Sequence, residues 1–75
     1  MKYMLTVQEV LKSLTGFTRI ELYDADGSLA YVGTAAVAFS ECAEYADCYC
    51  EASTKFFKSR WTSQILIVCY IHIIM

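Results

Sequence analysis

Four thiols and one imidazole are the most reactive side chains in this sequence. Cys48 and Cys50 are two residues apart, so on a strand both sulfurs would point to one side and could approach one soft metal ion. A tetrahedral zinc site needs two further ligands, which Cys42, Cys69 or His72 would have to bring from elsewhere. The spacing C-x5-C-x-C-x18-C is not a standard zinc pattern, and buried cysteine commonly serves as a small apolar side chain. The expectation is therefore no metal centre and no cofactor, with a soft-metal protein built on Cys48 and Cys50 as a lesser alternative. The start Met1-Lys2-Tyr3-Met4-Leu5 lacks the apolar core of a signal peptide, which predicts a cytoplasmic chain with free thiols.

Catalysis finds little to build on. Cys69 and His72 point to opposite faces of an ideal strand, a poor geometry for a thiolate and its base. No Gly-rich phosphate loop or nucleophile elbow occurs, and no acid/base constellation stands out, so no catalytic residue is predicted. Asp24-Ala25-Asp26-Gly27 invites comparison with a calcium loop. With Gly27 at the invariant glycine position, however, Leu22 falls where the first acid belongs and Gly33 where the bidentate acid belongs, so a plain hairpin turn is expected.

Charge is more informative. Formal net charge is −2, yet residues 20 to 54 hold seven acids and no Lys or Arg, while the flanks hold all six basic residues and one acid. Glu41, Glu44, Asp47 and Glu51 are the candidate surface for a partner protein with a basic groove. Lys55, Lys58 and Arg60 form the one basic cluster. Its size, and the reading of Phe56, Phe57 and Trp61 as core, disfavour nucleic acid.

The elements that would carry these groups follow from periodicity. Thr6-Val7-Gln8-Glu9 has the form of a capping box, with Leu5 and Val10 as its hydrophobic staple. Val7, Val10, Leu11 and Leu14 then line one face of a helix over about 7–14, with Gly16 placed to take a left-handed conformation beyond it. Phe17 to Tyr23 alternates as a half-buried strand, Asp24–Gly27 turns, and Ser28 to Gly33 returns. A second helix spans about 35–46, weakly capped by Thr34 because Val37 stands where an acid would complete the box. Residues 48 to 58 make a third strand and 60 to 64 a connection.

The last segment, Ile65 to Met75, has one polar side chain in eleven residues, too few to cross a bilayer as a helix. As a strand it puts Ile65, Ile67, Cys69, Ile71 and Ile73 on one face and Leu66, Val68, Tyr70, His72 and Ile74 on the other, both largely apolar.

The order α-β-β-α-β-β predicts one small α+β domain over residues 1–75, a four-stranded antiparallel sheet of two hairpins packed with two short helices. Apolar residues make up 57% of 75 positions, more than one small globule needs. A homodimer is therefore expected, its contact made by Leu66, Val68, Tyr70 and Ile74 and by the edge of the last strand.

At Thr6–Leu11 and again over Ile20–Ala35, with its Ile-Glu-Leu-Tyr-Asp-Ala-Asp-Gly-Ser-Leu run, the chain resembles small orphan proteins of bacteriophages and mobile elements of gut bacteria. The likeness covers about the first half and lies in the succession short helix, hairpin, second helix. That group includes anti-CRISPR proteins and other inhibitors of bacterial defence, so the resemblance implies a short, non-catalytic inhibitor inside a bacterial host cell. No functional residue carries over from it. The function expected is a non-enzymatic protein-binding module acting by surface occlusion. The alternative is a small-molecule-binding or sequestering homo-oligomer with a pocket near Tyr70 and His72.

Overall fold

The computed structural model of the protein describes residues 5–61 and 63–74. Lys2 of the basic flank, Thr62 of the connection and Met75 of the last strand lie outside them. The elements are β1 (Leu5–Thr6), α1 (Val7–Ser13), β2 (Arg19–Tyr23), β3 (Leu29–Thr34), α2 (Ala35–Glu41), a single 3₁₀ turn (Ala43–Tyr45), β4 (Tyr49–Lys58) and β5 (Ile65–Ile73).

The first helix starts as its sequence dictates. The Glu9 N–H donates to Thr6 Oγ1 at 3.4 Å and the Thr6 N–H to Glu9 Oε1 at 3.1 Å, closing the capping box. Its end differs from expectation. Leu14 is extended and donates its N–H to the Leu11 carbonyl, so Gly16 is not needed in a left-handed conformation. Gly16 instead allows close approach, because a Cβ there would stand 3.3 Å from that of Ala36. Its carbonyl accepts the Ala36 N–H at 3.2 Å.

The Asp24–Gly27 turn is a hairpin turn. Gly27 has φ 88° and donates to the Asp24 carbonyl, while Asp26 Oδ1 accepts from both the N–H and the hydroxyl of Ser28. The cap expected from Thr34 does not form: its side chain makes no hydrogen bond to α2. The helix is short, yielding to the 3₁₀ turn after Glu41.

The fold is α+β, but the sheet is not the predicted one. It has five strands in the order β1-β4-β5-β2-β3, and it is mixed. Both predicted hairpins form, β2 with β3 and β4 with β5, each antiparallel. They join through a parallel β2–β5 pairing that runs from Arg19↔Val68 to Tyr23↔His72. Two hairpins side by side can meet through any of their edges, and alternation within each strand does not choose among them. The short β1 adds Leu5 and Thr6 to the edge of β4 at Cys50 and Tyr49. Interior placement of β5 also corrects the idea that its edge is open for pairing, since Val68 to His72 are flanked on both sides.

Both helices cover one face of the sheet. Val7, Val10 and Leu11 of α1 and Ala35, Ala38 and Cys42 around α2 pack with Ile20, Leu22, Cys50, Cys69, Ile71 and Ile73, all of one strand parity. On the opposite face Val68 is nonetheless 3% exposed, flanked in register by Arg19 and Lys55. Long basic side chains readily lay their stems over such a neighbour. Gly33 of β3 makes room for Tyr31 two residues before it, whose hydroxyl and ring occupy the place a Cβ would take.

Candidate functional site

A seven-residue helix is about 10 Å long, whereas the ten-residue β4 extends about 33 Å. The sheet therefore outruns its cover. Among the described residues, β1 accompanies β4 at Tyr49 and Cys50, and β2 accompanies β5 from Val68 onward. What projects is a two-stranded ribbon, with Phe56↔Ile67, Phe57↔Leu66 and Lys58↔Ile65 as its rungs. The turn beyond is closed by Ser59 N–H to the Gln64 carbonyl and by Trp61 N–H to Ser59 Oγ.

Exposed apolar side chains gather here on both sides of the ribbon. Phe56, Ile65 and Ile67 are on the face that the helices cover elsewhere; Phe57 and Leu66 are on the other. Trp61 is 93% exposed, and Phe17 is 96% exposed beside a shallow depression shared with Ile65, Leu66 and Ile67. Contiguous exposed apolar surface of this kind is uncommon on soluble monomers. Lys55, Lys58 and Arg60 are its only charges between residues 54 and 68.

The acidic candidates do not form one surface. Glu41 ends α2, Glu44 lies in the 3₁₀ turn, and Asp47 accepts a 3.2 Å hydrogen bond from Gln8 Nε2, all exposed on the helix-bearing side. Glu51 belongs to the opposite face, across from His72. Asp47 leads into β4 and Lys58 ends it, so the acidic segment and the basic apolar ribbon end are separated by roughly 30 Å.

The self-association candidates separate likewise. Leu66 and Ile74 are exposed, Tyr70 is half-buried and Val68 is buried. The open face around them is polar-aromatic rather than greasy. The rings of Tyr23 and His72 stack at 4.8 Å, Lys55 Nζ lies 5.5 Å from the Tyr70 ring centre, and the Tyr23 hydroxyl donates to Glu21 Oε1 at 2.7 Å. That hydrogen bond is the main cause holding the Tyr23 hydroxyl above its ordinary range.

The thiols are placed as core. Cys48 precedes β4 rather than sharing a strand with Cys50, and its backbone is tied by Val7 N–H and the Tyr45 carbonyl. Burial, with a smaller contribution from Cys69, pushes the Cys50 thiol up to about 11. Burial likewise raises Cys42 and Cys69, so these three are protonated and weakly nucleophilic at neutral pH. Among the described residues no cluster of three or more His, Cys, Asp or Glu is arranged to hold a metal ion, and no helix is long and apolar enough to cross a membrane.

No family model matches the chain, and neither a curated protein nor a solved structure matches it.

The ribbon end departs from the sequence expectation: Phe56, Phe57 and Trp61, expected in the core, are exposed. Two signals mark it. Lys55-Phe56-Phe57-Lys58 places an aromatic on each face, and two short helices cannot cover a ten-residue strand along its whole length.

Proposed function

We propose that the chain is a non-enzymatic protein-binding module that occludes part of a partner's surface. The observation that carries this reading is the apolar end of the β4–β5 ribbon, where Phe56, Phe57, Ile65 and Leu66 are each more than two-fifths exposed. Such side chains release ordered water when a partner covers them, the main favourable term in most association. The exposed acids Glu41, Glu44 and Asp47 supply a second, electrostatic contact about one strand length away, suited to steering a partner with basic surface. The resemblance of residues 6–11 and 20–35 to small phage proteins supplies the partner class, a bacterial defence protein.

The test is capture from the bacterial host with a photo-cross-linking residue in place of Phe57 or of Glu44, followed by reconstitution with the captured protein. Cross-links from both positions to one protein, and loss of capture by F56S/I65S, are expected. Capture that survives both F56S/I65S and the triple reversal E41K/E44K/D47K overturns the reading.

A further inference from the structure

The end of the β4–β5 ribbon has two apolar sides. Phe56, Ile65 and Ile67 lie toward the helix-bearing side and Phe57 and Leu66 toward the other, all of them exposed. Neighbouring residues on a strand point to opposite faces, so no single flat surface touches both sets. A partner that dries one side leaves the other in water and forgoes its share of the favourable burial. A cleft, with a wall against each side, takes up both.

Charge narrows the chemistry of that cleft. Residues 52–75 hold Lys55, Lys58 and Arg60 and no Asp or Glu. Lys55 sits back along the strand, its Nζ 5.5 Å from the Tyr70 ring centre, whereas Lys58 ends β4 and Arg60 follows in the turn, both exposed. Lys58 also lines a shallow depression with Phe57, Ile65 and Leu66, so cation and apolar surface are covered together. Covering an ammonium or guanidinium group without a counter-charge is costly, and a carboxylate hydrogen-bonded to it offsets that cost.

A bilayer is the other medium that can surround a projecting ribbon, and the order of residues opposes it. The turn, residues 59–64, has Trp61 as its one apolar side chain among Ser, Arg, Thr and Gln. Inserted tip first, the ribbon would carry Arg60 and the backbone of the turn into hydrocarbon ahead of its first apolar rung. A protein cleft combines apolar walls with polar groups at chosen places.

We infer that the ribbon end is a finger seated in a cleft of the partner protein, with apolar walls on both sides of Phe56 and Phe57 and with Asp or Glu carboxylates facing Lys58 and Arg60. The inference rests on the reading of the chain as a protein-binding module and names the chemistry of what is bound. It also sets the partner's layout: the acidic cleft lies roughly 30 Å, one strand length, from the basic surface that Glu41, Glu44 and Asp47 meet.

Photo-cross-linking in the bacterial host tests the enclosure. Photo-reactive residues placed singly at Phe56 and at Phe57, on opposite sides, are expected to cross-link to one protein, at peptides that carry Asp or Glu beside apolar residues. Cross-links from one side only, or from neither, overturn the cleft, while cross-links from Glu44 would still support the binding module.

The charges are tested by titrating that protein, purified, against the chain labelled with 5-fluorotryptophan, in which the single Trp61 gives one fluorine resonance. The resonance is expected to shift on binding. K58E/R60E should weaken binding at least about 100-fold with its circular dichroism spectrum retained, and wild-type affinity should fall with salt more steeply than that of K58M/R60M. If K58E/R60E binds as the wild type does while F56S/I65S does not, the binding module stands and the acidic cleft is refuted. A Trp61 shift with phosphatidylglycerol vesicles and none with the protein assigns the surface to lipid. A mass in multiples of 8.5 kDa that F56S/I65S returns to 8.5 kDa assigns it to a second copy, and either result overturns the inference.

Discussion

One strand carries a graded test of where the core stops. Ile65, Ile67 and Ile71 share a side of β5, and all carry the same side chain, yet they are 61%, 37% and 0% exposed. Truncating Ile71, which sits between Leu22 of β2 and Ala52 of β4, removes buried methyl groups and leaves a cavity under both helices. That change costs about 3–4 kcal/mol. A 75-residue domain has roughly 4–11 kcal/mol in total, so I71A should lower the urea midpoint by at least about a quarter. At Ile67 the loss is about 1–2 kcal/mol and at Ile65 below about 1 kcal/mol, scaled to the surface still covered. Urea titrations at one fixed protein concentration, followed by far-ultraviolet circular dichroism, give the three values. If I65A costs as much as I71A, the ribbon end is buried in solution and the binding surface assigned to it does not exist.

Removing the first helix cap by T6A should cost about 1 kcal/mol, seen as a lower urea midpoint with unchanged slope. The Glu9 carboxyl is held below its ordinary range chiefly by the Thr6 backbone N–H, so its contribution is complete above the unfolded carboxylate range and fades as pH falls through the lowered folded value. E9Q should flatten that part of the acid limb. G27A, at φ 88° with open space around it, should cost about 1 kcal/mol from backbone conformation alone. For Cys50 the sign is reversed. A thiol raised from 9.0 to about 11 keeps its proton in the folded chain after the unfolded chain has lost it, so stability declines between pH 9 and 11, and C50A should lessen the slope in that window. E41K/E44K/D47K, all on the exposed surface, should change the unfolding free energy by no more than about 1.5 kcal/mol, about 0.5 kcal/mol for each substitution.

Local chemistry was legible in the sequence to within a residue or two. The Thr6–Glu9 box, the Asp24–Gly27 turn and the span of β5 each depend on neighbours a few positions away, and each formed. What depends on distant partners was not legible. The parallel β2–β5 seam, the two-residue β1 and the burial of Val68 arise from which edges meet. Leu66, Val68, Tyr70 and Ile74 read alike along one strand face, but neighbouring strands give them four different surroundings. The acids divided for the same reason, because Glu51 entered a strand and turned to the face away from Glu41, Glu44 and Asp47. Phe56, Phe57 and Trp61 are exposed because the two helices end short of them, a reach that composition does not encode.

The interior position of β5 bears on how the chain is assembled in a cell. Among the described residues β2 and β4 share no rung, so the strand pairing that unites the two hairpins runs through residues 65–73. A nascent chain still lacking that segment, or one nicked between 58 and 65 and stripped of it, is two detached fragments of sheet tethered by a helix. Pairing of β5 with both β2 and β4 is what turns those fragments into one sheet.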